Sequence, residues 1–197
     1  MSKKRLNIGV KNLKFAKMVK DDKTGVQYTA PEDIIGSVNI TINDTTNSEI
    51  FYADDAPFEV ATSYGGAEVS IETAGLSLDI QKKLLGHTYE NGLLKMNSND
   101  EAPYVALLFE SKMSTGAIEY VKLLKGKFRI PNTEYSTKTD TPEFKPKTIE
   151  GDFVTRDYDG AYRYIAHSDD VGTNTALITN WYNYVESSET TVAVVNP

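Results

Sequence analysis

Few side chains in this sequence have the types and spacing that catalysis or metal binding requires. The chain has two histidines, His87 and His167, and no cysteine, so it lacks the clustered ligands of a zinc site. The acidic pairs Asp54–Asp55 and Asp169–Asp170 are candidates for general acid–base chemistry. Adjacent side chains on an extended chain point to opposite sides, however, and loop acids are usually solvated. We therefore predict no catalytic residue, no metal site and no cofactor.

The glycine and aspartate motifs favour turns over ligand sites. Gly65–Gly66 lacks the Lys–Ser/Thr of a phosphate-binding loop and the spacing of a dinucleotide fingerprint. Asp152, Asp157 and Asp159 do not have the spacing of a helix-loop-helix calcium site. No serine lies in a nucleophile-elbow motif. These patterns predict a protein that is not an enzyme.

Charge is distributed unevenly along the 197 residues. Residues 1–20 contain seven Lys/Arg and no acid, whereas the rest of the chain has 14 Lys/Arg against 28 Asp/Glu. Such a basic segment is either a nucleic-acid tail or a strap that docks on a neighbouring acidic subunit. The strap is favoured because apolar residues alternate with the lysines, at Leu6, Ile8, Val10, Leu13, Phe15 and Val19. A chain without residues 1–20 would then fold but not assemble.

The composition indicates a protein without a membrane segment. No run approaches the roughly 18 to 20 apolar residues that a membrane span requires. The opening MSKKRLNIG has basic residues without a following apolar stretch, so no secretory signal is expected. The absence of cysteine agrees with synthesis in a reducing cytoplasm. We divide the chain into a basic N-terminal arm or first strand (1–20), one β domain (21–186) and a flexible tail (187–197).

One helix is predicted, at about residues 77–85. Ser77 is the expected N-cap and Asp79 lies in the first turn, where an acid is favoured. Ile80 and Leu84 are four residues apart and share one face. Gly86 follows as the expected left-handed terminator.

The rest of the chain is predicted to be strand and loop. Alternating apolar and polar residues indicate strands over 11–20, 34–42, 59–64 and the segment before the helix. Residues 104–112 and 117–130 form a predicted hairpin whose first strand is buried on both faces. Residues 148–156 and 161–167 form a second. Three further segments are a long polar loop at 43–57, a surface excursion at 131–147, and a closing strand or short helix at 175–185.

Several segments in order resemble the major tail proteins of long-tailed phages and prophages of Gram-positive bacteria, which build the tail tube. The similarity covers about residues 8–185. It is carried by GVKNLKFAKMVKDDKTGVQYTAPEDIIGSVNITI (9–42), FYADDAPFEVATSYGGAEVSIETAGLSLDIQKKLLGHTYENGLL (51–94), APYVALLFESK (102–112) and VKLLKGKF (121–128).

This resemblance implies a fold, an assembly and partners. The implied fold is mainly β, a β-sandwich or partly open β-barrel with one short flanking α-helix, an extended N-terminal arm and long loops. Six subunits form a ring, and stacked rings form the tube through which genomic DNA is ejected without specific binding. The protein would be assembled in the bacterial host cytoplasm and reside in the virion tail. Its partners would be other copies, the tape measure protein, the tail terminator and the distal tail protein.

Two sets of residues are candidates for roles in such an assembly. The inter-subunit set lies on the basic arm and the 43–58 loop and comprises Lys11, Lys14, Phe15, Lys17, Phe51, Tyr52, Asp54, Asp55 and Phe58. Replacing Asp54 and Asp55 by Ala would weaken stacking more than folding. The second set is polar, and it either lines the lumen or forms an outer solvated face; it comprises Ser37, Asn39, Thr41, Glu68, Ser70 and Glu72.

Three alternatives remain open at this stage. A tube protein of a prophage-derived bacteriocin or injection system would have the same fold, and neighbouring sheath genes would distinguish it. A β-sandwich carbohydrate-binding module would use Trp181 and surface tyrosines, and would remain a monomer at high concentration. A hydrolase that uses loop acids would require a pocket.

Overall fold

An antiparallel sheet of nine strands forms most of the fold. The computed structural model describes residues 6–53, 56–133, 146–170, 172–173 and 175–186. The strands are β1 (Asn7–Asp22), β2 (Gly25–Tyr28), β3 (Glu32–Asp33), β4 (Ser37–Ala53), β5 (Ala56–Thr73), β6 (Thr88–Glu90), β7 (Leu93–Lys95), β8 (Val105–Met113), β9 (Ile118–Phe128), β10 (Lys147–Phe153) and β11 (Arg163–His167). The helices are α1 (Leu78–Leu85) and α2 (Thr175–Thr179).

The strand order β2–β1–β8–β9–β10–β5–β4 leaves the sheet open. No ladder joins β4 to β2 within the described residues, so the sheet does not close into a barrel. β11 pairs with β9, β3 pairs with β1, and β6 and β7 form a separate two-stranded sheet. The prediction of a mainly β fold with a short flanking helix is confirmed. Among the described residues, no helix is long and apolar enough to cross a membrane.

Helix α1 forms as its sequence predicts. The Ser77 hydroxyl accepts a hydrogen bond from the Ile80 amide, 3.2 Å away, and so caps the first turn. Gly86 ends the helix in the left-handed conformation, at φ 76°. Leu84 and Leu85 are buried and anchor the helix to the sheet.

β8 divides the core into two clusters because both of its faces are covered. Its residues Val105, Leu107 and Phe109 join the first cluster, between the sheet and α1, which comprises Leu13, Phe15, Ile34, Ala67, Val69, Ile71, Leu76, Leu84, Leu85, Val105, Leu107, Phe109, Val121, Leu123, Phe128, Ile149 and Phe153. Its residues Ala106 and Leu108 join the second cluster, which comprises Ala16, Val26, Tyr28, Ala106, Leu108, Leu124 and Val185. The predicted hairpin of β8 and β9, with β8 buried on both faces, is confirmed.

The strand predicted over residues 11–20 is present as part of β1, and the alternative preferred from the charge, a strap that docks on a neighbouring subunit, is wrong for the described residues. Residues 7–17 of β1 pair with β8 inside the sheet, so this segment is a strand of the domain itself. Phe15 is only 2% exposed and lies in the first cluster, and it cannot contact another subunit. Both faces of β1 are covered at Phe15 and Ala16, which belong to the first and second clusters, and the surrounding lysines obscured this burial in the sequence.

Two further predictions are wrong. The segment 43–57 was expected to be a loop, but its described residues continue β4 and β5 as one long hairpin. Strands β10 and β11 were expected to pair with each other, but both pair with β9, at different positions along it.

The segment 175–185 contains the short helix α2. The excursion lies outside the described residues from 134 to 145, and so does the tail at 187–197.

Replacing Phe15 by Ala tests the place of β1 in the core. We expect a loss of about 3–5 kcal/mol in the free energy of unfolding, because truncating a buried Phe leaves a cavity. Lys17→Ala, on the exposed side of the same strand, should change it by less than about 0.5 kcal/mol. Urea denaturation measures both. A folded chain without residues 1–20 would contradict this description of β1.

Candidate assembly interface

The outer edge of β4 is the most prominent unsatisfied feature of the sheet. β4 has 17 residues and ends the strand order, and its partner in the described structure is β5 alone. Every second amide and carbonyl along this edge therefore points away from the ladder. Natural sheets protect such edges with Lys, Pro, a short length or a covering segment. β4 contains no Lys and no Pro. An edge of this kind favours pairing with another strand.

The far half of the β4–β5 hairpin projects from the domain. All side chains from Asn43 to Tyr52 are exposed, and so are those from Phe58 to Ser63. A two-stranded hairpin with no core beneath it is marginally stable in water. We call the part of β4 and β5 from residue 46 to residue 64 the distal hairpin.

A bulge at Gly65 separates the distal hairpin from the domain. Thr45 pairs with Gly66 and Thr46 pairs with Tyr64, so Gly65 is the extra residue. Gly66 has φ 121°, and a Cβ there would lie 3.1 Å from the carbonyl oxygen of Phe153. The positive φ and the close approach to Phe153 both favour glycine at residue 66.

The distal hairpin exposes apolar side chains that the described domain does not cover. Ile50 and Val60 face each other across the ladder on one side and are 46% and 58% exposed. Phe51 lies opposite Glu59, on the other side, and its ring packs edge to face against that of Phe58 with centroids 6.4 Å apart. Large exposed apolar groups concentrated on one element are typical of interaction sites. Burying each such side chain against a partner would contribute about 1.5–3 kcal/mol.

The root of the hairpin is fixed to the domain by polar and aromatic contacts. The Arg163 guanidinium on β11 donates two hydrogen bonds to the Asp44 carboxylate, at 2.5 and 3.1 Å. The rings of Tyr64 and Tyr162 stack with centroids 3.9 Å apart. Burial raises the pKa of the Tyr64 hydroxyl. These contacts give the projecting hairpin a defined direction.

Five residues of the second candidate set lie on one polar face. Across the β4–β5 ladder, Asn39 lies opposite Glu72 and Thr41 lies opposite Ser70. β10 extends this face, since Glu150 lies opposite Ser70. Directly opposed residues share a face. We call this surface the polar face; it comprises Asn39, Thr41, Asn43, Glu68, Ser70, Glu72, Thr148, Glu150, Asp152, Lys127 and Arg129. The sixth candidate, the half-buried Ser37, lies opposite the buried Thr73 and is not part of this face.

Arg129 holds the acids of the polar face together. Its guanidinium lies 2.5 Å from a carboxylate oxygen of Glu68 and 3.3 Å from one of Asp152, and a Glu150 oxygen is 3.9 Å away. The hydrogen bond with Glu68 is the main reason that the pKa of Arg129 is raised. Four carboxylates and two cations leave the face acidic.

The structure distributes the predicted inter-subunit residues among three environments. Phe51, Tyr52 and Phe58 are exposed on the distal hairpin. Lys11 and Lys17 are exposed on β1, whereas Lys14 is half-buried and forms an ion pair with Asp33 at 2.7 Å. Phe15 is in the core. Asp54 and Asp55 lie outside the described residues.

Sequence reasoning missed the apolar side of the distal hairpin and the central role of Arg129. Ile50 was not singled out because residues 43–57 looked like a polar loop, and Val60, although it lies in the predicted strand 59–64, was not assigned to an exposed side. The available signal was the run Thr45 to Tyr52, which contains β-branched and aromatic residues and no Gly or Pro. Arg129 lies just beyond the end of β9, and only the pairing of β9 with β10 brings it close to Glu68, Glu150 and Asp152.

The two histidines are used in local contacts. His87 is buried, and its Nδ1 lies 2.7 Å from an Asp100 oxygen, which ties the end of α1 to the following loop. His167 lies between Glu119 and Asp170, at 3.2 and 3.0 Å. In the described residues, no group of three or more His, Asp or Glu is arranged to hold a metal.

A double substitution tests whether the apolar side of the hairpin serves assembly. Ile50→Lys with Val60→Lys should leave the free energy of unfolding of the monomer unchanged to within about 1 kcal/mol, because nothing in the domain covers either residue. Self-association, measured by analytical ultracentrifugation, should be lost. Leu93→Lys, at a 58% exposed position on β7, is the matched control and should associate normally. Unchanged association of the double variant would exclude this surface as an interface.

Comparison of the chain with models of known protein families finds no match. Comparison with curated proteins finds no match either.

Proposed function

We propose that this chain is a structural subunit of a phage tail tube. Six copies form a ring, rings stack into a hollow tube, and the tube conducts DNA during ejection. In this proposal the protein is assembled in the bacterial host cytoplasm and resides in the virion tail. The resemblance of the sequence motifs supplies the number of copies and the biological setting.

The observation that carries the proposal is the long unpaired edge of β4 continued into the distal hairpin. A strand edge and an apolar hairpin on the same element offer two separate contacts. A head-to-tail contact closes a ring when its rotation permits, and a head-to-tail contact that does not close generates a filament. A tube of stacked rings requires one contact of each kind. We assign ring formation to the β4 edge and stacking to the distal hairpin.

The polar face fits the lining of a DNA channel. Duplex DNA carries about one negative charge per 1.7 Å, and a basic surface would hold it by releasing counterions. The acidic polar face would repel the phosphates instead. Arg129 reduces the repulsion among Glu68, Glu150 and Asp152 without reversing the sign of the face. This arrangement allows DNA to slide without specific binding.

The partners implied by the resemblance remain part of the proposal. They are the tape measure protein, the tail terminator and the distal tail protein. Each would meet the tube at its interior or at one of its ends.

Negative-stain electron microscopy of the purified protein at increasing concentration tests the proposal directly. We expect rings or tubes of uniform width, and their loss in the Ile50→Lys/Val60→Lys variant but not in Leu93→Lys. A protein that stays monomeric at millimolar concentration and binds glycans would contradict the proposal. It would favour a carbohydrate-binding module.

Reversing the charge of the polar face tests its position in the tube. Glu72→Lys with Glu150→Lys should cause tubes to retain linear DNA, with an affinity that falls steeply between 50 and 200 mM salt. Wild-type tubes should retain none. The measurement is DNA found inside sedimented tubes after nuclease treatment, which removes DNA on the exterior. DNA that is bound but fully digested would place this face on the outside.

A further inference from the structure

A short C-terminal segment covers the side of the sheet opposite α1. Residues 181–186 follow α2, and Trp181 and Val185 are each only 2% exposed. Val185 belongs to the second cluster, where it packs with residues of β1, β8 and β9. We call residues 181–186 the latch.

Two buried cations fasten the latch to the sheet. The Lys122 ammonium on β9 donates hydrogen bonds to the carbonyl oxygens of Tyr184 and Val185, at 2.8 and 3.1 Å. It also lies 4.3 Å from the centre of the Trp181 ring, a favourable cation–π distance. The fully buried Arg156 guanidinium donates to the carboxylate of Glu186. Arg156 is itself held by Asp159, Tyr28 and Tyr164.

The closed latch also buries groups that would be better solvated. Among the described residues, no carboxylate forms an ion pair with the 1% exposed Lys122. Trp181 Nε1 and the Tyr184 hydroxyl are buried without a hydrogen-bond partner in the described structure. Such groups forgo the hydrogen bonds that they make with water, and they weaken the element that buries them. The closed latch is therefore stabilised by the hydrogen bonds from Lys122 and Arg156 and destabilised by the burial of the Lys122 charge and of two unpartnered polar groups.

The chain that leads into the latch does not hold it in place. None of the described residues between 168 and 180 is buried, and α2 has no buried residue. An element joined to the domain by an exposed connector can open locally while the rest of the domain stays folded.

We propose that the latch opens as a unit from the folded sheet, and that the burial of charged Lys122 sets its opening equilibrium, so that the latch closes more tightly as the pH rises above neutrality. This inference does not depend on the proposed tube function. Opening would uncover Ala16, Ala106 and Leu108 and make this side of the sheet accessible.

The sign of the pH effect follows from the pKa of Lys122. Burial lowers this pKa from its usual value of 10.5 to about 8 in the closed state. The open state therefore binds an additional proton between about pH 8 and 10.5, and raising the pH through this range favours closing. Below about pH 8 the cost of the buried charge is fully present. The difference between a pKa of 10.5 and one of about 8 corresponds to about a 300-fold change in the opening constant across the whole range.

The other groups that face the latch come from five strands and from the latch itself. They are Lys14 on β1, Tyr28 on β2, Glu110 on β8, Tyr120 on β9, Tyr164 on β11, and Tyr182, Tyr184 and Glu186 on the latch, with Arg156 beyond the end of β10. Burial raises the pKa of Tyr120, Tyr164 and Tyr182. In the closed latch these hydroxyls stay neutral over the range in which Lys122 titrates, and once exposed they ionise only near pH 10, above the pH 9.5 used in the test.

Trp181 is the single tryptophan of the chain and reports directly on the latch. The test uses the full chain at pH 7 and at pH 9.5. Acrylamide quenching of Trp181 fluorescence measures its access to solvent. Brief chymotrypsin digestion with mass spectrometry measures cleavage after Trp181, Tyr182 and Tyr184, normalised to a peptide substrate at each pH. When closing is faster than cleavage, the rate of cutting follows the population of the open state.

We expect wild-type cleavage at the latch to fall at least tenfold from pH 7 to pH 9.5, with a parallel fall in quenching. Lys122→Met removes the buried charge, so its cleavage should be equal at the two pH values. Lys127→Met, at a lysine of the same strand that does not contact the latch, should behave as wild type. Val185→Ala should accelerate cleavage at both pH values and preserve their ratio, which provides a second reading if Lys122→Met does not fold.

Three results would overturn the proposal. One is wild-type cleavage that does not change with pH. Another is a pH dependence retained in Lys122→Met, which would assign the effect to a different group. The third is cleavage at the latch no faster than global unfolding, measured by urea denaturation, which would show that the latch does not open separately.

Discussion

Main-chain hydrogen bonding along the hairpin of β4 and β5 is the constraint on which the rest of this structure depends. The inner half of the hairpin completes the core, because its residues Val69 and Ile71 belong to the first cluster. The outer half has no core, and its free edge has no partner in the described chain. The same hairpin thus contributes to the core of the domain and carries the strand edge whose backbone groups lack a partner in the described chain. The proposed assembly follows from this division, since a partner can satisfy the outer half without disturbing the inner one.

Much of the fold could be predicted because local signals agreed with tertiary ones. Ser77 and Gly86 mark the ends of α1 by side-chain and backbone chemistry that needs no tertiary contact. The apolar run in β8 indicated burial on both faces, and two separate clusters cover it. Tertiary pairing could not be predicted in the same way. β10 and β11 are close in sequence, yet each pairs with a different part of β9, because β9 is long enough to carry both.

The candidate site was predicted in part, and its failures have physical causes. The polar residues of β4 and β5 were found separately by alternation, and the register of the ladder joins them into one face. Phe15 was misplaced because basic charge around it suggested an external segment, whereas lysines can extend from one face of a buried strand. The distal hairpin was missed because Asn, Ser and Thr are typical of loops as well as of exposed strands. Only pairing over its whole length distinguishes these two conformations.

The extra residue at Gly65 has a consequence for how this protein can vary. Side chains alternate along a strand, so removing one residue from the bulge would rotate the outer half of β5 by one position relative to β4. Glu59 would then move to the side now occupied by Val60, and Val60 would move to the acidic side. Additions or losses matched between the two strands would preserve the two sides of the outer hairpin, whereas an unmatched residue in β5 would interchange them beyond that point. The bulge at Gly65 thus fixes which side chains of β5 lie on each side of the hairpin, whatever the length of the hairpin beyond it.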